Sequence, residues 1–355
     1  MFEIYQNKKV FITGHTGFKG SWLSLWLLKI GAEIIGYALD PQNEKDNYVL
    51  AELEHKIKDF RNDIRDYTKL ANVINTEQPE IIFHLAAQPL VLDSYKDPHY
   101  TIETNTQGTA NIIEAFRNSE TVKALIVITT DKVYQNNERE WGYQETDRLG
   151  GKDPYSASKA AAELLISSYQ KSFFNNNNKL LVSVRAGNVI GGGDWSENRI
   201  VPDCIKALER SERIIIRNPH ATRPWQHVLE PLGGYLLLGE KLLQNRSEFV
   251  GAWNFGPYLS NVINVKELVK KVIIAYGMGE YIIQNNMNSQ AEANFLSLDI
   301  TKAINKLSWK PLLNIDETID FTIEWYKNYN STNVFNFCHN QITKYEELWK
   351  LRNKK

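Results

Sequence analysis

Short apolar runs alternate with longer mixed stretches through the first half of the chain. Residues 10–13 (VFIT) form a compact apolar run that ends on glycines. Further runs fall at 33–37, near 58–60, and at 80–85 (EIIFHL), 124–129 (ALIVIT) and 180–185. Continuous β-branched and aliphatic runs of this kind predict strands buried on both faces. Between them, residues 21–30, 67–77, 106–118 and 156–171 read as helices. Strand, helix and strand repeated in this order predict parallel βαβ units with right-handed crossovers. The expected class is α/β, a Rossmann-type doubly wound parallel sheet.

After residue 186 the pattern loosens. Gly, Pro and polar residues cluster at 191–202 and 218–224, and helical periodicity returns at 265–275 and 317–328. This predicts a first unit over 1–186, to which segments near 225–250 return. A smaller interleaved α+β unit is expected over 187–355. The tract 175–178, four asparagines, is expected to be a helix-to-strand loop.

Composition narrows the function. A chain of 355 residues suggests about two domains. The 41 Lys+Arg against 42 Asp+Glu give a net charge of −1, which argues against a nucleic-acid binder. Small anionic ligands need only a local pocket. Two cysteines, Cys204 and Cys338, exclude a disulfide scaffold and fit a reducing compartment; neither has metal-ligand spacing, and no metal is expected. The opening MFEIYQNKK lacks an apolar signal core, and no apolar stretch approaches the ~20 residues of a membrane span. The expectation is a soluble, cytoplasmic protein without a membrane partner.

Gly14, His15, Thr16, Gly17, Phe18, Lys19 and Gly20 lie between the first predicted strand and helix. A helix N-terminus offers unpaired N–H groups and partial positive charge, which suit a pyrophosphate. Glycines there let the backbone approach the phosphates. Asp40 follows the second strand; a carboxylate there suits the ribose hydroxyls of NAD, or else begins the turn at Pro41. Asp63 follows the third strand, where it meets an adenine or stays solvated while Asp66 caps a helix.

Tyr155 and Lys159 stand four residues apart on a predicted helix and so share a face. An ammonium beside a phenol favours the phenolate, which predicts a lowered Tyr155 pKa and a base for a substrate hydroxyl. Thr130, at the end of the fifth strand, is placed to hydrogen-bond the same hydroxyl.

The motifs GHTGFKG, HLAAQ, TTDKVY, YSASK and RAGNVIGGGDW resemble the extended short-chain dehydrogenase/reductases. Within them the chain is similar to the nucleotide-sugar 4,6-dehydratases. His15 with Lys19, TDK in place of TDE, and the run GNVIGGGDW…NRIVPD resemble the branch that acts on CDP-glucose. The resemblance implies an NAD cofactor, held by the glycine loop with Asp40, Asp63, Ile64, Leu85, Ala86, Ala87, Tyr155 and Lys159. It implies oxidation at sugar C4, loss of water across C5–C6, and hydride return to C6.

In that scheme Tyr155, Lys159 and Thr130 serve C4. Asp131 matches the acid for the C6 hydroxyl, a role that needs burial to hold its proton near neutrality. Lys132 replaces the glutamate that removes the C5 proton in relatives. It is either that base, if desolvation leaves it partly neutral, or the partner of a carboxylate. His15 is expected beside the pyrophosphate, crowding NAD. Gln88, Asn188, Arg199 and Arg223 are implied substrate contacts, the arginines by bidentate phosphate geometry. His84 and His227 are expected to be structural. The resemblance also implies a homodimer or homotetramer joined through helices 106–118 and 155–171, with Ile112, Ile113, Ala160, Ala161 and Leu164 available for burial. A C4 epimerase and a non-catalytic NAD-sensing protein are the competing readings. An epimerase needs no acid at C6.

Overall fold

The computed structural model describes residues 1–174, 179–284 and 295–352. The asparagine tract 175–178 lies outside the described residues. The first half runs β1 (Lys9–Thr13), α1 (Phe18–Ile30), β2 (Glu33–Ala38), α2 (Asn47–Leu50), β3 (Lys58–Arg61), α3 (Tyr67–Glu77), β4 (Ile81–His84), α4 (Val91–Lys96), α5 (Pro98–Ile102), α6 (Gly108–Asn118), β5 (Ala124–Ile128), α7 (Pro154–Phe173) and β6 (Leu180–Ala186). A π-helical turn, Glu103–Gln107, joins α5 to α6, and a 3₁₀ turn, Asp131–Val133, follows β5.

The second half adds β7 (Val189–Ile190), α8 (Ile200–Glu209), β8 (Ile214–Ile216), β9 (Thr222–Arg223), β10 (Gln226–His227), α9 (Leu229–Leu243), β11 (Gly251–Phe255), β12 (Ile263–Asn264), α10 (Val265–Tyr276), β13 (Tyr281–Ile283), α11 (Thr301–Leu307), α12 (Ile315–Asn328) and α13 (Val334–Arg352).

One parallel sheet has the order β11-β6-β5-β4-β1-β2-β3. The order reverses between β1 and β4, and the crevice at such a switch point is where doubly wound folds take ligands. Both sheet faces are covered, so alternate residues of one strand enter different cores. Ile126 and Ile128 join one core with α1 and α9, whereas Leu125 and Val127 join the other with α3 and α6.

Three differences from the sequence reading concern boundaries. Helix α1 begins at Phe18 rather than 21, because Gly17 is its N-cap. Helix α7 begins at Pro154, where Asp153 accepts from the Ser156 amide at 2.9 Å. The helix expected from 106 begins at Gly108, continuing the π turn. Helix α9 packs on β5, β6 and β11, and β11 joins the sheet as its seventh strand, beside β6. Helix α13 packs against α1. Among the described residues no helix is long and apolar enough to cross a membrane.

Candidate active site

The loop after β1 is built for backbone approach. Gly14 has φ +73°, and a Cβ on it would lie 2.7 Å from the Ala86 nitrogen. A Cβ on Gly20 would lie 2.1 Å from the Gly14 oxygen. No side chain caps α1 at Gly17, so its first amides remain available to an anion. Behind the loop, Thr13 Oγ1 accepts from the Leu85 and Ala86 amides at 3.1 Å each. Its own proton therefore goes to His84 Nδ1 at 2.7 Å, which assigns the ring hydrogen to Nε2, facing Thr109 Oγ1 at 3.2 Å. Burial pushes the His84 pKa down to about 3, so this ring is a neutral structural link, as expected.

His15 departs from expectation. Its ring turns away from the phosphate side and lies over Gly36, where a Cβ would be 2.6 Å from it. Nε2 meets Asp59 Oδ1 at 2.8 Å, and Tyr48, edge-on at 5.4 Å, donates to Asp59 Oδ2. Gly36 and Asp59 are register partners on β2 and β3. The glycine thus opens the groove that carries the imidazole to its carboxylate. Burial lowers the His15 pKa despite Asp59.

Asp40 is exposed at the end of β2 and makes no hydrogen bond among the described residues. The following turn is closed instead by Asn43 and Asp46. Asp63 is committed to Arg65, whose backbone amide and guanidinium donate to its carboxylate at 2.7–3.1 Å. Asp66 caps α3 by accepting from the Lys69 amide. Ile64 is buried against Gly108, and the Phe18 ring faces Gly191. Ala87, next after Ala86, is half-buried.

Tyr155 and Lys159 lie one turn apart on α7, both buried. Thr130 donates to Asp131 Oδ1 at 2.9 Å, while Asp131 Oδ2 is buried and has no partner among the described residues. Gly187 leaves the space that carboxylate fills: a Cβ there would lie 2.0 Å from Oδ2. Lys159 Nζ donates to the Ile128 carbonyl at 3.2 Å. Burial pushes the Tyr155 phenol up to about 12, with Thr130 acting against it and Asp131 reinforcing it. Burial also pushes Lys159 down to about 8. The expected lowering of Tyr155 is therefore reversed in the protein alone, because desolvating the phenolate outweighs its neighbours.

Lys132 keeps 36% of its side chain in solvent, with Nζ 3.9 Å from Asp131 Oδ1. Its observed contact is this carboxylate pairing. Arg199, just before α8, donates to Asp194 Oδ2 at 2.7 Å and acts electrostatically on Tyr155 and Lys19. Lys19 is half-buried, makes no hydrogen bond among the described residues, and is pushed down to about 8 by burial, Arg199 and Lys159. The cations Lys19, Lys132, Lys159 and Arg199 thus gather around Asp131 and Asp194. Asp194 escaped the sequence reading, although it sits inside the GGGDW run.

The other implied contacts divide. Asn188 takes φ +48° next to Gly187, and its backbone carbonyl accepts from the Gln226 amide. Gln88 spends its carboxamide on Leu90 and Thr101 within its own loop. Arg223 lies on β9 with Nη1 on the Thr222 carbonyl. His227 is buried between Trp22 and Phe321, with its pKa pushed down to about 3.

Comparison with known proteins agrees with this architecture. Residues 11–322 match the family model described as GDP-mannose 4,6 dehydratase. A CDP-glucose 4,6-dehydratase of Salmonella typhimurium is 44% identical over 92% of both chains. A dTDP-D-glucose 4,6-dehydratase of Dictyostelium discoideum is 28% identical over 90% of this chain and 82% of its own. Among solved structures, a dTDP-glucose 4,6-dehydratase from Bacillus anthracis in complex with NAD superposes with TM-score 0.75. It is 21% identical and covers 92% of this chain and 99% of its own.

Proposed function

Because the chain belongs to the GDP-mannose 4,6-dehydratase family, we propose that it dehydrates CDP-glucose to CDP-4-keto-6-deoxyglucose, as an NAD-dependent hydro-lyase. The residues present fit NAD. The glycine loop excludes any Cβ at Gly14 and Gly20, the α1 N-terminus is uncapped, and Asp40 is free at the end of β2. NAD, when bound, supplies a hydride acceptor at C4 and a donor at C6.

This chain's own residues handle protons and charge. Tyr155, steadied by Thr130, takes the C4 hydroxyl proton, with the Lys159 ammonium favouring the phenolate. The resulting ketone acidifies C5–H, and Lys132 removes that proton once a bound sugar excludes water from its amine. Asp131 protonates the departing C6 hydroxyl from Oδ2. Lys19 and Arg199 supply cationic donors to diphosphate oxygens, and Asn188 lies at the sugar side.

The observation that carries this reading is the buried Asp131 with one oxygen unpartnered beside Tyr155. An epimerase, which only removes and returns hydride at C4, has no use for that acid. Identity to the Salmonella typhimurium enzyme selects CDP among the bases. Incubation with CDP-, dTDP-, UDP- and GDP-glucose, followed by mass spectrometry, tests it. Loss of one water from CDP-glucose in preference to the others supports the reading, and water loss from none of them refutes it.

Exposed apolar side chains on packed helices support a reading of the assembly. Ile112, Ile113 and Ala160 are already buried within the chain, whereas Leu92, Tyr95, Ile102 and Leu164 on α4, α5 and α7 are exposed. We infer that these helices join a second copy, giving a homodimer or a homotetramer. The two buried free cysteines fit the cytoplasm, and the product suits deoxysugar supply to a surface polysaccharide such as O-antigen.

A further inference from the structure

Glu163 stands one turn beyond Lys159 and two turns beyond Tyr155 on α7, and all three side chains are buried. Their spacing places them along one helix face. A carboxylate this deep is costly unless its lone pairs are met. Here they are. Oε1 accepts from Thr129 Oγ1 at 2.5 Å and from Arg185 Nε at 2.9 Å. Oε2 accepts from Ser183 Oγ and Arg185 Nη2, at 2.8 Å each. Burial opposes the charge, but Arg185, Thr129 and Ser183 outweigh it and leave the carboxyl pKa below its ordinary value.

The far side of Arg185 is turned away, with Nη1 on Tyr134 Oη at 2.7 Å and on the Glu145 carbonyl at 3.0 Å. The ion pair therefore presents its anionic end toward α7. Thr129 also precedes Thr130, so the same carboxylate is tied to the strand end that carries the Thr130–Asp131 pair.

We propose that Glu163 is a positioning residue for this site, whose anchored carboxylate keeps the Lys159 side chain cationic beneath Tyr155. The proposal rests on the assignment of Tyr155 and Lys159 to C4 chemistry. Around Lys159 stand Tyr155 and Glu163 from α7, neutral His84 from β4 and Lys19 from α1, with Asp131 acting on Tyr155 and Lys19; Arg185 from β6 is spent on its own partners. Glu163 is the charge that raises the Lys159 pKa against burial. Without it, the ammonium is lost at lower pH.

The test is the pH profile of CDP-glucose dehydration at saturating NAD. Glu163→Gln is expected to move the alkaline limb down by about one unit, which is roughly a tenfold loss on that limb, and Glu163→Asp to restore it. A purely structural residue would lower the rate evenly and leave the limb in place, and that result overturns the proposal. Glu163→Gln strands the Arg185 charge, so Glu163→Gln/Arg185→Gln provides a second, charge-balanced form. A folded double variant with the wild-type limb overturns the proposal equally. Failure of the underlying assignment is seen separately, as full activity in Tyr155→Phe.

Discussion

Thr130 donates its hydroxyl to Oδ1 of Asp131 at 2.9 Å and leaves Oδ2 of that carboxylate buried, without a partner among the described residues. A buried carboxylate oxygen with nothing to satisfy it is a cost that folding alone does not explain. In the dehydration scheme Oδ2 carries the proton for the C6 hydroxyl. Asp131→Asn keeps the shape and the Thr130 contact but removes the acid. Product formation is expected to fall about 100-fold or more, while C4 oxidation persists. Single-turnover quenching with detection of the 4-keto sugar, still bearing its C6 hydroxyl, checks this; equal loss of both steps contradicts it.

Lys132 is the one proposed catalytic group that stands partly in solvent. Lys132→Ala is expected to abolish exchange of C5–H with solvent deuterium and to spare hydride removal from C4. Exchange at a near-normal rate would assign Lys132 to pairing with Asp131 and move the base elsewhere.

His15 and Gly36 share one volume. Gly36→Ala is expected to cost about 1–3 kcal/mol, since the added methyl meets the ring. In a His15→Ala background the same change should cost much less. A double-mutant cycle on thermal unfolding reads the coupling, and simple additivity would mean the ring does not lie where the structure has it.

Glu230 is buried, accepts from the Leu312 and Leu313 amides and from Tyr345, and has its pKa pushed up to about 7 by burial. Its folded pKa exceeds the ordinary carboxylate value. The unfolded chain therefore binds fewer protons between about 4.5 and 7, and this group's contribution to stability falls as pH rises through that window. Glu230→Gln is expected to remove that component, so its melting temperature relative to wild type should rise from pH 5 to pH 8. A constant difference across this range contradicts the assignment.

Much of the sheet was legible because its strands are aliphatic on both faces, and the glycine loop and the Tyr155–Lys159 spacing are local in sequence. What stayed hidden depends on tertiary contacts. Helix α9 carries Pro231, Gly233, Gly234 and Gly239, a poor helical sequence. Two of those glycines are demanded by neighbours: a Cβ on Gly234 would lie 2.4 Å from Phe255, and one on Gly239 2.2 Å from Tyr5 Oη. Strand β11 contains Asn254, whose amide donates to the Tyr143 and Asp299 carbonyls, partners far away in sequence. The direction of His15 depended on Gly36 and Asp59 being opposite one another, a register that no local pattern encodes. The Tyr155 pKa failed for a related reason, since spacing reports neighbours and not burial.

The most direct measurement follows a deuterium placed at C4 of CDP-glucose through one turnover. The account predicts that the label arrives at C6 of the 4-keto-6-deoxy product within the same molecule, with one solvent hydrogen at C5. Label returned to C4 with no loss of water, or washed out into solvent, would contradict it.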